Sequence, residues 1–423
     1  MRIALFFDDK SFEGKDFRYP EKGNPGIGGT PFCFLMLAKY YSITYQNDKI
    51  FFYHQVENFQ NKYSTEYEVE KVNPTNIAEQ CVKDKIDFLI LTLSRYRSVA
   101  DKLEKQGIKC IVWVHNFLTY DNLLLLRRNK SATRVVFVGK EQYDRYIDDS
   151  VINKSVCIMN MYNTECAEYV RTDSHTRNVT YVGAIVPGKG FHYLAKCWKT
   201  ILKAVPDAKL YVMGSGALYD NGKKLGKYGI AEEAYESQFI KYLLDDDGSI
   251  IPSVHFLGIV STEKISYFQK TRVGIVNPTA RTEICPISVL EMASCGIPVV
   301  SKNKNGMPDV IKNGVTGILV NNSSDFCSAV TRLLLDNDLN HSYGSAAKDF
   351  VKKSFDPYCI VKEWHALFEE IKNKVLPIYQ NPTENYMNNY KFLRVLNRNI
   401  KKIPLMKWLP SIALVECKIK SML

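Results

Sequence analysis

Short apolar runs alternate with helical patterns along most of this 423-residue chain, and this alternation limits the fold more than any other feature. It is typical of parallel sheets that helices cover on both faces. The strands predicted from it fall into two series: residues 2–7, 50–54, 86–93, 110–115 and 135–139, and then residues 179–185, 209–213, 255–259, 273–276, 299–301 and 317–320. The sequence therefore predicts an α/β protein with two parallel sheets.

The chain is longer than one hydrophobic core usually supports, which also favours two domains. A polar stretch with little periodicity, residues 162–177, separates the two series and is predicted to be the linker. We therefore divide the chain into a first domain, a second domain, a helix expected to return to the first domain, and a basic amphipathic tail, at residues 1–165, 166–355, 356–375 and 376–423.

Composition narrows the class of protein. Hydrophobic residues make up 46% and charged residues 24%, as in ordinary globular proteins, and no apolar run is long enough to span a bilayer. The apolar start of the chain is too short for a secretory signal, and acidic residues follow it at once. The eleven cysteines show no paired short spacings that would indicate a zinc site or a disulfide framework. These features predict a globular cytoplasmic protein with reduced thiols.

The net charge of +11 is compatible with nucleic acid, an anionic membrane surface or an anionic small substrate, but no nucleic-acid-binding motif is present. In the tail, cations are interleaved with apolar residues: Lys391, Arg394, Arg398, Lys401, Lys402, Lys407, Lys418 and Lys420 alternate with Phe392, Leu393, Ile400, Leu405, Met406 and Trp408. This mixture suits a peripheral contact with a membrane surface through residues 390–423. It equally suits an amphipathic helix packed on its own protein.

The run from Asn277 to Val300 carries two glutamates eight positions apart, Glu283 and Glu291. The pattern predicts a buried strand, then a loop that holds Glu283, then a helix from about Ile287 with Glu291 in its second turn. At the carboxyl edge of a parallel sheet, a helix amino terminus presents unpaired N–H groups and a positive dipole end that favour phosphate. The two carboxylates are then placed to hold sugar and ribose hydroxyls, which indicates sugar-nucleotide chemistry.

Three further segments are candidates for ligand contacts. Lys189 lies between two glycines after a strand, where its ammonium either neutralises a phosphate leaving group or is a surface charge in a turn. His115 ends a hydrophobic strand, where it either meets a substrate, as hydrogen-bond partner or base, or is structural. Gly26, Gly28 and Gly29 precede a helical pattern and form either a phosphate cradle or a turn. The glycine spacing does not match a dinucleotide fingerprint, so NAD binding is not predicted.

Taken together, the motifs resemble the retaining glycosyltransferases of the GT-B fold, specifically glycosyltransferase family 4. The resemblance covers residues 1 to about 372 and is strongest where "VGAIVPGKG", "AKLYVMGSG", "VHFLGIVSTEKI" and "EICPISVLEMASCGIPVVSKNKNGMPDVIKNGVTGILV" follow one another in family order. It implies two Rossmann-like domains that face each other across a cleft. The second domain would bind a nucleotide sugar, and the first would receive the acceptor.

The resemblance also assigns roles to the glutamates, the lysine and the histidine. Glu283 corresponds to the motif glutamate that contacts the transferred sugar, and Glu291 to the one that holds the ribose. Lys189 corresponds to the lysine that binds the diphosphate. His115 corresponds to the histidine near the acceptor hydroxyl. These assignments make Glu283, Lys189 and His115 the expected catalytic residues.

The remaining expected donor contacts are made by backbone groups and glycines. The resemblance implies that phosphates are received by backbone N–H groups, and that glycines line or close over the donor. The residues are Cys285, Ile287, Ser288, Gly28, Gly29, Gly214 and the stretch 258–260.

Two positions depart from the family pattern. Ala184 stands where the family usually has an arginine, so Lys189 or another cation must carry more of the diphosphate charge. The candidates for that cation are Arg281, Lys302 and Lys304. Pro286 stands where glycine is common and removes one possible N–H donor.

The resemblance implies metal-independent transfer of a hexosyl or related group, with retention, from a UDP- or GDP-type sugar. Neither a metal nor any other cofactor is expected, and the run Asp245-Asp246-Asp247 is interpreted as a solvated loop. The expected acceptor is a glycan or a lipid-linked sugar in cell-surface polysaccharide synthesis, at the inner face of a membrane. Two alternatives stay open: a catalytically inactive scaffold that binds nucleotide sugars, and a GT-B-like sugar-nucleotide epimerase.

Overall fold

The computed structural model of the chain describes every residue except 11, 13, 57–61, 166–175, 218–223, 262, 323 and 423. The chain divides into two compact units. The first unit comprises Met1–Glu21, Ile27–Met161 and Pro357–Leu423, and the second comprises Lys22–Gly26 and Tyr162–Asp356. The predicted linker at 162–177 lies mostly outside the described residues.

Each unit is built on one parallel sheet. The strands of the first unit are β1 (Arg2–Phe6), β2 (Lys49–His54), β3 (Glu68–Lys71), β4 (Phe88–Thr92), β5 (Cys110–Val114), β6 (Ala132–Phe137) and β7 (Ser155–Cys157). Those of the second unit are β8 (Asn178–Val182), β9 (Lys209–Met213), β10 (Val254–Gly258), β11 (Thr271–Ile275), β12 (Val299–Lys302) and β13 (Gly317–Val320). The two predicted series of strands are therefore confirmed within a few residues.

Fifteen α-helices are present in the part of the chain that the structure describes. Those of the first half are α1 (Gly29–Thr44), α2 (Ile77–Lys83), α3 (Leu93–Lys105), α4 (Tyr120–Arg128), α5 (Lys140–Asp144), α6 (Phe191–Ala204) and α7 (Glu233–Phe239). The others are α8 (Lys264–Phe268), α9 (Ile287–Ser294), α10 (Met307–Val310), α11 (Ser324–Leu335), α12 (Asn337–Ser354), α13 (Pro357–Lys372), α14 (Lys391–Ile400) and α15 (Ile412–Met422). Among the described residues, no helix combines the length and apolar character needed to cross a bilayer.

The strand order of each sheet creates a point where the chain reverses direction across the sheet. The first sheet runs β3-β2-β1-β4-β5-β6-β7, and the second runs β10-β9-β8-β11-β12-β13. In the second sheet the chain moves outward from β8 to β10 and then returns to β11 on the other side of β8. Open α/β sheets bind ligands outside the carboxyl ends of the strands at such a switch point. A ligand of the second unit is therefore expected beside the loops after β8 and β11.

The helix α13 belongs to the first unit. Its Trp364 is fully buried and meets Trp113 of β5 edge to face, with ring centroids 4.9 Å apart. Phe368 stacks on Phe88 of β4 at 5.5 Å. These aromatic contacts bury the apolar side of α13 against the first sheet and fix the helix there.

One expectation about the cysteines is wrong. Cys197 on α6 and Cys327 on α11 are joined by a disulfide, with their Cα atoms 5.6 Å apart. The bond links residues 130 positions apart in the sequence, so no short spacing could indicate it. The disulfide links two helices that cover the second sheet.

Candidate active site

The loop between β11 and α9, which carries Glu283, has an unusual backbone. Three of its residues other than glycine have positive φ: Asn277 at 39°, Ala280 at 51° and Thr282 at 63°. Left-handed backbone costs about 1 to 2 kcal/mol per residue, and a β-branched threonine rarely adopts it. Strain of this kind persists only where the surroundings enforce it, and it is frequent at binding and catalytic sites.

Asn277 organises this loop from the end of β11. Its buried side-chain amide donates hydrogen bonds of 2.9 Å to the backbone oxygen of Arg281 and to the carboxylate of Glu283. Its side-chain oxygen accepts a hydrogen bond from the backbone N–H of Thr279. The carboxylate of Glu283 is therefore held in one orientation by its own loop.

The loop after β8 brings Lys189 to the same place. The hydroxyl of Thr279 donates a 2.9 Å hydrogen bond to the backbone oxygen of Gly188, which joins the two loops. The ammonium of Lys189 contacts the carboxylate of Glu283 directly. The structure thus brings these two predicted site residues together, at the switch point of the second sheet.

Gly190 permits this close approach. Its φ is +70°, and a Cβ atom built there would lie 2.4 Å from the side chain of Thr279. We expect Gly190→Ala to lower the free energy of unfolding by about 2 kcal/mol or more, because it adds both backbone strain and overpacking. The matched control is Gly188→Ala, because a Cβ atom at Gly188 meets nothing within 4 Å. Thermal unfolding of both variants tests this, and equal melting temperatures would contradict it.

Glu291 lies on α9, as predicted, but its partner is a residue that sequence reasoning did not select. The ammonium of Lys264, at the start of α8, lies 2.5 Å from the Glu291 carboxylate. The side chains are only 8% and 3% exposed. A buried ion pair of this kind holds the carboxylate in place, and removing one partner leaves an uncompensated charge. Lys264 lies in the run "VHFLGIVSTEKI" that carries part of the family resemblance, but no role was assigned to it from the sequence.

The predicted glycine contact, Gly214, closes the gap between the ends of β8 and β9. A Cβ atom at Gly214 would lie 1.9 Å from the backbone oxygen of Gly183, so no side chain fits there. The N–H of Gly214 donates to the oxygen of Gly258 at 2.8 Å. The carboxyl ends of β8, β9 and β10 are thereby joined backbone to backbone.

The predicted anion site lies at the amino end of α9. The helix begins at Ile287 after Pro286, and no side chain caps it. The first N–H groups of any helix have no partner within the helix, and the dipole there is positive. Cys285 and Ile287 are buried, and Ser288 is partly exposed. Because Pro286 lacks an N–H, this end has one donor fewer than glycine would give.

The other predicted site residues belong to the first unit. His115 follows β5 directly, and both of its ring nitrogens are buried. Burial lowers the pKa of His115 to about 3, so the ring is neutral near pH 7. Gly28 is the N-cap of α1 and Gly29 its first residue, and no side chain caps that helix.

Ala184, which stands where the family usually has an arginine, follows β8 and is buried. The hydroxyl of Tyr181 donates to its backbone oxygen at 3.2 Å. Of the three substitute cations considered from sequence, Arg281 and Lys304 are exposed and Lys302 is partly exposed. The run Asp245-Asp246-Asp247 lies in an exposed turn of the second unit, as interpreted from sequence.

Comparison with known proteins identifies the second unit. Residues 176–336 match the family described as "Glycosyl transferases group 1". These residues form a group 1 glycosyl transferase domain. The domain contains Lys189, Glu283, Lys264 and Glu291, so both of the lysine–glutamate pairs described above lie within it.

Two curated relatives extend the match. The chain is 24% identical over 270 residues to an uncharacterized glycosyltransferase of Haemophilus influenzae, which is 62% of this chain and 70% of that protein. It is 26% identical over 193 residues to the capsular polysaccharide biosynthesis glycosyltransferase CapM of Staphylococcus aureus. That match covers 45% of each chain.

Solved structures show the fold beyond the glycosyl transferase domain. Sucrose-phosphate synthase from Thermosynechococcus elongatus superposes with a TM-score of 0.67 at 15% identity, over 88% of this chain and 100% of that chain. HepE of Anabaena in complex with UDP-glucose superposes with a TM-score of 0.66 at 16% identity, over the same shares. The predicted GT-B fold with two Rossmann-like domains is therefore confirmed.

Proposed function

We propose that this chain is a retaining glycosyltransferase that moves a hexosyl or related group from a UDP- or GDP-type sugar to a glycan or lipid-linked acceptor. The observation that carries the proposal is the junction of the Lys189 and Glu283 loops at the switch point of the second sheet. Sugar transfer needs a cation for the departing diphosphate and a carboxylate for the sugar hydroxyls. The glycosyl transferase domain supplies both within one contact.

The donor diphosphate is proposed to lie between the ammonium of Lys189 and the amino end of α9. Negative charge grows on the leaving oxygen as the glycosidic bond breaks, and charges fixed in advance stabilise it without reorganisation. The N–H groups of Cys285, Ile287 and Ser288 are the proposed donors. Since this positive charge comes from the protein itself, we propose a metal-independent reaction.

Glu283 and Glu291 are proposed to hold the two sugars of the donor. Glu283 would accept hydrogen bonds from hydroxyls of the transferred sugar, while Lys189 is released towards the diphosphate. Glu291, held by Lys264, would accept from the ribose hydroxyls, and Gly214 would leave room for the nucleoside. The acceptor oxygen would then attack the face from which the diphosphate leaves, which gives retention without a carboxylate nucleophile.

His115 is proposed to act by hydrogen bonding. A neutral imidazole with a pKa of about 3 is a weak base, so it is poorly suited to take a proton from a hydroxyl. It is well suited to accept or donate a hydrogen bond to the sugar or the acceptor. This interpretation selects one of the roles that the sequence left open.

Relatives support the donor and the biological setting. HepE is described in complex with UDP-glucose, and CapM acts in capsular polysaccharide biosynthesis. We therefore propose UDP-sugar as the first donor to test, and cell-surface polysaccharide synthesis at the cytoplasmic face of a membrane as the setting.

The proposal is tested by thermal unfolding of the purified chain with a panel of nucleotide sugars. A donor that binds only the folded state stabilises it by about 2.7 kcal/mol at roughly 100 times its Kd. We expect one UDP- or GDP-sugar to raise the melting temperature, and the matching sugar without nucleotide to leave it unchanged. If no member of the panel raises it, the donor assignment is wrong.

Product analysis separates the proposal from its alternatives. NMR of the product with acceptor shows whether the anomeric configuration is retained. The scaffold alternative is motivated by Ala184, which stands where the family usually has an arginine. A scaffold would bind the donor without forming any product. An epimerase would yield an altered sugar nucleotide when no acceptor is present.

A further inference from the structure

The helix α14 is packed in the reverse of the usual orientation. Its buried residues are Lys391, Arg394 and Asn397, whereas its apolar residues Phe392 and Leu396 are exposed. Helices at a protein surface normally bury their apolar side and expose their polar one. The tail therefore does pack on the first unit, but through its charged side.

Buried carboxylates of the first unit explain this orientation. The ammonium of Lys391 lies 3.0 Å from Glu141 and 2.8 Å from Asp144, and all three side chains are almost fully buried. The side-chain amide of Asn397 donates a 2.8 Å hydrogen bond to buried Asp148. Charges that deep in a protein require partners. The polar side of α14 thus packs on the rest of the first unit, and its apolar side faces outward.

We define the outer face as the apolar side chains exposed on α14 and on the segment that follows it. Its members are Phe392, Leu393, Leu396, Ile403, Leu405, Met406 and Trp408. Leu405 is 81% and Trp408 is 76% exposed. A group of large apolar residues left uncovered in one segment usually marks a surface that binds something apolar.

The charges around the outer face restrict its partner. Lys402, Lys407, Lys418 and Lys420 are exposed in the same segment. From residue 391 to 422 the sole carboxylate is Glu416, and Arg145, Lys420 and Arg394 surround it. Burial opposes its charge, but these cations hold the pKa of Glu416 at about 2. The exposed surface is therefore apolar and positive together.

A cavity lies beside this segment in the first unit. It measures about 170 Å³ and is lined mainly by apolar side chains, including Phe117, Leu118 and Ala413. Arg145 and Lys420 also line it, and they share the single carboxylate of Glu416 with Arg394. An apolar cavity next to an excess of positive charge is chemically suited to bind an anionic amphiphile.

We propose that the outer face docks on an anionic lipid bilayer. The apolar residues enter the boundary between headgroups and acyl chains, and the exposed lysines meet anionic headgroups. Aromatic residues such as Trp408 favour that boundary because one end of the ring is apolar and the other polar. The contact is peripheral and does not depend on the transfer reaction.

Point substitutions test the proposal better than removal of residues 390–423, which would strip Glu141 and Asp144 of Lys391. The variant is Leu396→Ser, Leu405→Ser and Trp408→Ser in the full chain. The matched control changes three exposed apolar residues elsewhere, Val82→Ser, Val315→Ser and Leu335→Ser. Both proteins are sedimented with vesicles of phosphatidylcholine alone and with added phosphatidylglycerol.

We expect the unchanged chain and the control to bind vesicles that contain phosphatidylglycerol, and the variant to bind them at least about tenfold more weakly. Changing Lys402 and Lys407 to Gln should weaken binding to those vesicles roughly tenfold or more. Equal sedimentation of variant and unchanged chain would overturn the proposal. A second result would also overturn it: the unchanged chain binds no vesicles but self-associates in solution, and the variant does not self-associate. The outer face would then bind a second copy of the chain. Transfer to a soluble acceptor by the variant should equal that of the unchanged chain, which separates this result from the proposed reaction.

Discussion

Lys189→Ala is expected to lower kcat for sugar transfer by roughly 100- to 1,000-fold, the usual effect of removing one preorganised group that stabilises charge in the transition state. Lys189 is the cation that contacts Glu283 at the switch point, and Ala184 leaves no arginine earlier in the same loop to replace it. Steady-state kinetics with the donor found by thermal unfolding measures the effect. Because the lysine acts mainly on the departing diphosphate, kcat should fall more than the donor KM rises.

The control for this substitution is Lys203→Ala, which removes an exposed lysine from the last turn of α6 in the same unit. It should leave both kinetic constants unchanged. Glu283→Gln is the companion variant, since glutamine keeps the hydrogen bond from Asn277 but loses the charge. We expect it to lower kcat strongly while the nucleoside diphosphate still raises the melting temperature. Transfer at the unchanged rate by Lys189→Ala would refute the assignment of the diphosphate to this lysine.

Most of the fold could be predicted from the sequence because buried parallel strands are continuous apolar runs. The strands that pattern reasoning did not find are β3 and β7, which are the two edges of the first sheet. β3 reads Glu-Val-Glu-Lys, and β7 has three residues. An edge strand is covered less than a central one, so its sequence need not be apolar.

Some residues of the candidate site could also be predicted from the sequence, and others could not. Lys189 and Glu283 could be predicted because each follows an apolar strand, and neighbouring parallel strands place their carboxyl ends together. The disulfide of Cys197 and the partner of Glu291 could not, because each depends on residues far apart in sequence that only the packing of helices brings together. The orientation of α14 was likewise not predictable, since it depends on buried carboxylates of α5.

Lys264→Met is expected to lower the free energy of unfolding of the second unit by about 3 to 5 kcal/mol, the usual cost of leaving one charge of a buried pair without its partner. Methionine fills a similar volume, so the loss reflects the Glu291 carboxylate rather than a cavity. If Glu291 holds the ribose, the donor KM should also rise by about tenfold, which corresponds to about 1.4 kcal/mol of binding. Thermal unfolding and donor kinetics measure the two effects separately.

A matched variant and a second substitution show what Lys264 does. Lys224→Met breaks an exposed pair with Glu233 in the same unit, whose side chains are 88% and 73% exposed, and should change neither quantity measurably. Adding Glu291→Gln to Lys264→Met removes the unpaired charge, so part of the stability should return. The donor KM should stay high in the double variant, because glutamine has one uncharged acceptor oxygen and binds ribose hydroxyls more weakly than the two oxygens of the carboxylate. Recovery of both quantities together would mean that Glu291 is only structural, and that the nucleoside is held elsewhere in the glycosyl transferase domain.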